Sequence, residues 1–204
     1  MLLRQFLDFN PSSFIFVDPS INKTGFAVYR CCYKDKKIVN KLVCHGLIKS
    51  RIILDEQCNE RDNFQRIRDI ILSLQGICRE YKVVRCYLEE PPPTVYQQKA
   101  PMHILMARAK STAQVMAACH AILAAIYHEN KIQCQTFWPS DWQVNAQRRK
   151  QNSKEWSLHN ANIILKEQGL PATLHTEADE NIADAIVFGY MILQKFESES
   201  IEFN

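Results

Sequence analysis

Two rhythms of apolar and polar residues divide the chain. Residues 13–18 hold the apolar run Phe14-Ile15-Phe16-Val17, which closes on Asp18 and the turn-forming pair Pro19-Ser20; such a run predicts a buried strand. Residues 24–33 are aromatic and β-rich, Asp35-Lys36-Lys37 supplies a turn, and residues 38–48 return as a third strand. These three form an antiparallel meander. The rhythm then changes. Phe64, Ile67, Ile70, Ile71, Leu74 and Ile77 recur at three- and four-residue spacing, which predicts an amphipathic helix over 60–80. A short strand follows at 83–89 and is stopped by Pro91-Pro92-Pro93. A long helix rich in Ala and Met spans roughly 101–129, its small residues suited to close packing. Residues 131–137 read as a fifth strand, and Pro139-Ser140 opens a short helix. A basic polar stretch at 145–154 leads into a helix over 154–168, ended by Gly169 with Pro171 beyond. The last helix starts near Thr176–Asp179 and reaches about Phe196.

A meander followed by two strand–helix alternations predicts an α/β fold: a five-stranded mixed sheet, three strands antiparallel and two parallel, with helices on both faces. At 204 residues the chain is expected to be a single domain over 1–204, frayed at about 1–12 and 197–204. Its net charge of +3 permits a nucleic-acid partner without arguing for one. The distribution is more informative: Lys34, Lys36, Lys37 and Lys41 cluster early, and Arg148, Arg149, Lys150 and Lys154 cluster late. The eight cysteines show no C-x-x-C spacing and no histidine pair that would complete a zinc set. Charge interrupts the N-terminus too soon for a signal peptide, so reduced thiols and a cytoplasmic location are expected. No stretch is apolar enough to span a membrane.

Three acids stand in places where charge is costly. Asp18 ends the first strand, and Glu89 ends the fourth with Glu90 beside it. Successive strand residues face opposite ways, so only one of that pair shares a face with Asp18; Glu89, in step with Tyr87, is the expected one. The third is Asp184, early in the last helix and flanked by Ala183 and Ala185, with Asn181 and Glu180 on its helical face. Asp179 reads instead as a capping residue. Each acid also has a plainer reading: Asp18 capping a turn through Ser20 or Thr24, Glu89 a solvated strand end, Asp184 an exposed helix acid. Taken together, oxygen ligands converging from three elements suit two hard cations, Mg²⁺ or Mn²⁺ rather than zinc, arranged for phosphodiester hydrolysis.

With these residues in place, the sequence resembles the RuvC family of Holliday-junction resolvases, within the RNase H-like superfamily. The resemblance rests on the apolar strand with Asp18-Pro19-Ser20 and Thr24-Gly25-Phe26, on Tyr87-Leu88-Glu89-Glu90, and on Ala109-Lys110-Ser111 in the long helix. It continues through Pro139-Ser140 and Ser153-Lys154 to Asn181-Ile182-Ala183-Asp184-Ala185. Asn181 stands where the family usually has Asp, so the fourth metal ligand is either Asn181, through its amide oxygen, or Glu180. The extra length around 141–153 is of the sort seen in phage or other mobile-element members, for which the location would be the host cytoplasm.

The resemblance implies an RNase H-like endonuclease, a homodimer that nicks four-way DNA junctions symmetrically with Mg²⁺ or Mn²⁺, two ions per site and no small-molecule cofactor. It implies Asp18, Glu89, Asp184 and Asn181 or Glu180 at the metals, and Lys154 beside the scissile phosphate. Arg148, Arg149, Lys150, Lys154 and Lys110 would contact DNA, with Tyr96 as the aromatic wedge. Three rival readings are a nuclease of flaps, forks or RNA with the same acids, a junction-binding protein of weakened catalysis, and a kinase of the actin/hexokinase type. The last needs two lobes and a glycine-rich phosphate turn, where this chain has Pro19-Ser20.

Overall fold

The computed structural model describes residues 11–20, 23–34, 37–49, 59–90, 102–142, 153–176 and 179–201. They form strands β1 (Ser12–Asp18), β2 (Lys23–Lys34) and β3 (Lys37–Lys49), helix α1 (Asn59–Glu80) and strand β4 (Val83–Glu89). Helix α2 (Met102–Asn130), strand β5 (Gln133–Phe137) and helices α3 (Pro139–Trp142), α4 (Ser153–Glu167) and α5 (Glu180–Ile201) follow. The strands make one sheet in the order β3-β2-β1-β4-β5. β1 pairs antiparallel with β2, and β2 with β3; β4 runs parallel to both β1 and β5. The expected mixed sheet with helices on both faces is the one observed.

The two faces of the sheet differ in chemistry because β1 and β4 alternate. Phe14 and Phe16 join Tyr29, Tyr87, Phe137 and Phe188 in an aromatic core under α4 and α5. Phe16 stacks on Tyr87 at 5.0 Å between ring centroids and meets Phe188 edge-on at 5.5 Å. Ile15 and Val17 point the other way, into an aliphatic core with Ile70 and Leu74 of α1 and Ile122 and Ile126 of α2. Offset and edge-on ring pairs hold a preferred geometry, so the aromatic face fixes α5 more tightly than area alone would.

Helix α5 lies very close to the sheet. A Cβ built on Gly189 would stand 2.6 Å from a ring carbon of Tyr29 and 2.8 Å from one of Phe16. The Tyr29 hydroxyl, fully buried, donates to the backbone carbonyl of Ile186 at 2.8 Å. Tyr29→Phe removes this tie while keeping the ring, and is expected to cost about 0.5–1.5 kcal/mol in chemical denaturation.

Helix ends explain most departures from the expected boundaries. The strand expected from residue 131 begins at Gln133, because Lys131 takes a left-handed conformation (φ 56°) that closes α2. Gly169 (φ 71°) closes α4 as expected, with the Leu170 amide donating to Leu165 O. The last helix runs on to Ile201 instead of ending near Phe196, and the strand expected to start at 13 begins at Ser12. Phe196 packs on Tyr87 and Phe137, 5.9 and 6.4 Å between centroids, which anchors α5 as far as that residue. The described cysteines are free thiols, Cys31, Cys78, Cys86 and Cys119 among them buried. Among the described residues, no helix is long and apolar enough to cross a membrane.

Candidate active site

The parallel strands β1, β4 and β5 share a carboxyl end, and the acids gather there. Asp18 is in step with Phe14 and Phe16, so it emerges on the aromatic face. Glu89 is in step with Tyr87 and emerges on the same face. Glu90 turns toward α2, where its Oε1 lies 4.0 Å from His120 Nε2. The end of β4 is fixed by one more ladder bond, from the Glu90 amide to Phe137 O at 2.8 Å.

The first turn of α5 completes the group, and a glycine admits it. Gly25 is the partner of Asp18 across the β1–β2 ladder. The backbone of Asn181 rests on Gly25 so tightly that a Cβ there would lie 1.8 Å from Asn181 O. Only a residue without a side chain tolerates this approach. It brings Asn181 and, one turn on, Asp184 over the end of β1.

The electrostatics of Asp18 follows from this proximity. Burial first, then the charges of Glu89 and Asp184, push the Asp18 carboxyl well above the ordinary carboxylate range; a hydrogen bond from the Asn181 side chain opposes them. Asp18 still keeps some solvent contact at the mouth of the site. The carboxyl is therefore crowded by protein and by like charge, yet reachable. The turn after β1 does not depend on it: Thr24 Oγ1 donates to Ser20 O at 2.7 Å and accepts from the Ser20 amide at 3.2 Å. Asp184 is half-buried, and its Oδ1 accepts a hydrogen bond from Ser157 Oγ of α4, whose side chain is wholly buried.

Asp179 plays a different part. Its carboxylate accepts from the Thr176 amide at 3.0 Å, the Thr176 hydroxyl at 2.8 Å and the His175 amide at 3.1 Å. These bonds, led by those from Thr176, lower its pKa. It caps the turn that leads into α5, as the sequence predicts.

The donor set is all oxygen: the carboxylates of Asp18, Glu89 and Asp184 and the amide of Asn181. That chemistry fits a hard divalent cation, which would also relieve the repulsion on Asp18. Among the described residues, however, no group of three or more His, Cys, Asp or Glu side chains is already close enough to hold a metal ion. The two observations concern different distances. Like charges shift a pKa from 4–6 Å and beyond, whereas ligands of one ion sit about 2.0–2.6 Å from it. A shared cation would have to draw these acids inward.

Asn181 is the α5 residue whose side chain bonds Asp18, and Glu180 precedes it half-buried in the same turn. Lys110 and Lys154 lie on α2 and α4, but their side chains are outside the described residues, as are Tyr96, Arg148, Arg149 and Lys150 altogether. Sequence reasoning missed Ser157. Its signal is a hydroxyl heading an apolar stripe, Ser157-Ala161-Ile164-Leu165, all four buried along one side of α4. A polar group in such a stripe needs a partner.

No protein-family model and no curated protein matches the sequence. Solved structures do match in fold. The structure of Thermus thermophilus RuvC aligns with a TM-score of 0.57 at 15% identity, covering 92% of this chain and 95% of that one. The T. thermophilus RuvC structure in complex with Holliday junction substrate aligns with a TM-score of 0.53 at 13% identity, over 92% and 95% of the two chains. The chain therefore has a RuvC-like fold, built on the five-stranded mixed sheet that the element order predicts.

Proposed function

We propose that this protein is a structure-specific endodeoxyribonuclease that resolves four-way DNA junctions by paired, metal-dependent nicking. The observation that carries the reading is the crowding of Asp18 by Glu89 and Asp184 at the carboxyl end of the central strands, in a fold shared with T. thermophilus RuvC. Asp18, Glu89 and Asp184, with Asn181 or Glu180, would hold Mg²⁺ or Mn²⁺, two ions per site. The ions would supply an activated water and charge neutralisation at the scissile phosphate. The chain's own contribution is positional. Asn181 bonds the Asp18 carboxylate, the ladder bond at Glu90 fixes Glu89, and Asp18 keeps part of its surface exposed.

Two active sites are needed for paired nicks, so the working form in this reading is a homodimer on a branched DNA. Lys154 and Lys110, with Arg148, Arg149 and Lys150, would neutralise backbone phosphates, which makes binding salt-sensitive and largely independent of sequence. Tyr96 would serve as the wedge at the crossover. The single domain and the cytoplasmic location belong to the same proposal.

The test offers the protein a synthetic mobile four-way junction, a matched flap and an RNA–DNA hybrid, each with Mg²⁺, with Mn²⁺ and with EDTA. The expected result is symmetric nicking of the junction in either metal and none in EDTA. Preferential cleavage of the flap or hybrid would replace the substrate while keeping the chemistry. Junction binding with no cleavage in either metal would leave a binding protein.

A further inference from the structure

We infer that Ser157 is a positioning residue for the metal site: its hydroxyl holds Asp184 by one oxygen and so presents the other to a cation. The inference rests on the proposed role of Asp184 as a ligand and deepens it. Ser157 stands in the first half of α4 with its side chain fully buried, and it donates to Asp184 Oδ1 across the α4–α5 contact. A serine inside a helix can satisfy its hydroxyl on the carbonyl one turn back. Here it spends that donor on a carboxylate in another helix instead.

The placement carries the argument. Among the described side chains of α4 the buried ones are Ser157, Ala161, Ile164 and Leu165. Three are apolar, and the polar one lies beside the acid. A buried hydroxyl in an otherwise apolar helix contact contributes little packing that alanine would not match. What it adds is a fixed direction for one carboxylate oxygen. A ligating carboxylate whose second oxygen is held by a hydrogen bond keeps its rotamer and loses less freedom when the cation arrives. Loss of such an outer partner typically lowers metal affinity or activity 10–100-fold.

The experiment compares wild type, Ser157→Ala, Ser157→Cys and Asp184→Asn. Mn²⁺ alone is titrated, with free Mn²⁺ read by electron paramagnetic resonance and the melting temperature followed in parallel. Junction binding in EDTA and nicking across a Mn²⁺ series complete the set. Ser157→Cys keeps the side-chain shape at a slightly larger size with a much weaker donor, and stands in if the alanine variant folds poorly. The expected result is an apparent Mn²⁺ affinity weakened about 10-fold or more in both Ser157 variants. Metal-free melting temperature should fall only by the few °C that one lost hydrogen bond costs, junction binding should stay near wild type, and nicking should be recovered at high Mn²⁺. Wild-type Mn²⁺ affinity in both Ser157 variants overturns the inference while leaving the nuclease reading intact. So does a nicking loss that excess Mn²⁺ fails to repair and that follows a drop in metal-free stability, since that marks a packing role only. Absence of Mn²⁺ binding by wild type, or unchanged binding by Asp184→Asn, overturns the underlying metal site instead.

Discussion

Replacing Asp18 by Asn is expected to abolish nicking, leave junction binding in EDTA near wild type, and raise the melting temperature of the metal-free protein at neutral pH. Cleavage should fall more than ~100-fold, beyond the range seen when only an outer partner of a metal is lost. The stability gain follows from the crowding of the carboxyl by protein, Glu89 and Asp184. A carboxyl whose pKa is higher folded than unfolded keeps more protons in the folded state. By linkage, stability then falls as pH rises. The contribution is most favourable below the ordinary value of 3.8 and is lost progressively as pH climbs from there through the raised folded pKa. Asparagine is nearly the same shape and carries no charge, so the difference in melting temperature between Asp18→Asn and wild type should be small near pH 4 and widen toward neutrality. In a chain of this length each kcal/mol is worth about 2–4 °C. Adding Mg²⁺ or Mn²⁺ should close the gap by stabilising wild type through mass action while moving the variant little. Wild-type cleavage by Asp18→Asn would remove Asp18 from the site. A variant less stable than wild type at pH 7 without metal would show that the charge on Asp18 is satisfied within the protein and needs no cation.

This opposition of stability and function accounts for why the three acids stood out in the sequence. A carboxylate at the end of an apolar strand is costly where it borders a core, and Asp18 and Glu89 both stand in such a place. Strand alternation then separated Glu89 from Glu90 with no structure in hand, because a period of two leaves one choice per face. The fold was legible for a similar reason: the meander and the helical stripes are set by local pattern. What stayed hidden depends on contacts between distant segments. Phe196 of α5 reaches Tyr87 and Phe137, a contact that the polar residues after it do not announce. The tie from Ser157 to Asp184 depends on how α4 lies against α5, and no spacing within either helix encodes it. The choice between Asn181 and Glu180 likewise turns on how the first turn of α5 meets β2. In the structure that turn brings the Asn181 side chain onto Asp18.

That approach is governed by Gly25, and of the five possible Gly→Ala changes Gly25→Ala is expected to have the largest effect on stability. The new Cβ would lie 1.8 Å from Asn181 O, 2.3 Å from Asn181 C and 3.0 Å from Ile182 N. All three are backbone atoms, so no side chain can rotate away. On one side β2 is held by its ladder to Asp18 and on the other by pairing with β3 at Leu47. On the other side of the clash, α5 is held by Tyr29 Oη on Ile186 O and by the aromatic core. Either the strand bulges or the first turn of α5 lifts. Overpacking a core typically costs 1–3 kcal/mol. Backbone meeting backbone puts this case at the upper end or above, so a loss of ~3 kcal/mol or more, about 6–12 °C, is expected. Gly76→Ala is the matched control: nothing lies within 4 Å of its Cβ, and it sits inside α1, where alanine should stabilise by about 0.5–1 kcal/mol. If the α5 turn lifts, Asn181 and Asp184 move away from Asp18. Nicking by the folded fraction should then fall together with Mn²⁺ affinity, even at temperatures where Gly25→Ala remains folded. A Gly25→Ala protein with wild-type melting temperature and metal affinity would mean that α5 does not rest on β2 at this point, and that the acids are brought together by some other contact.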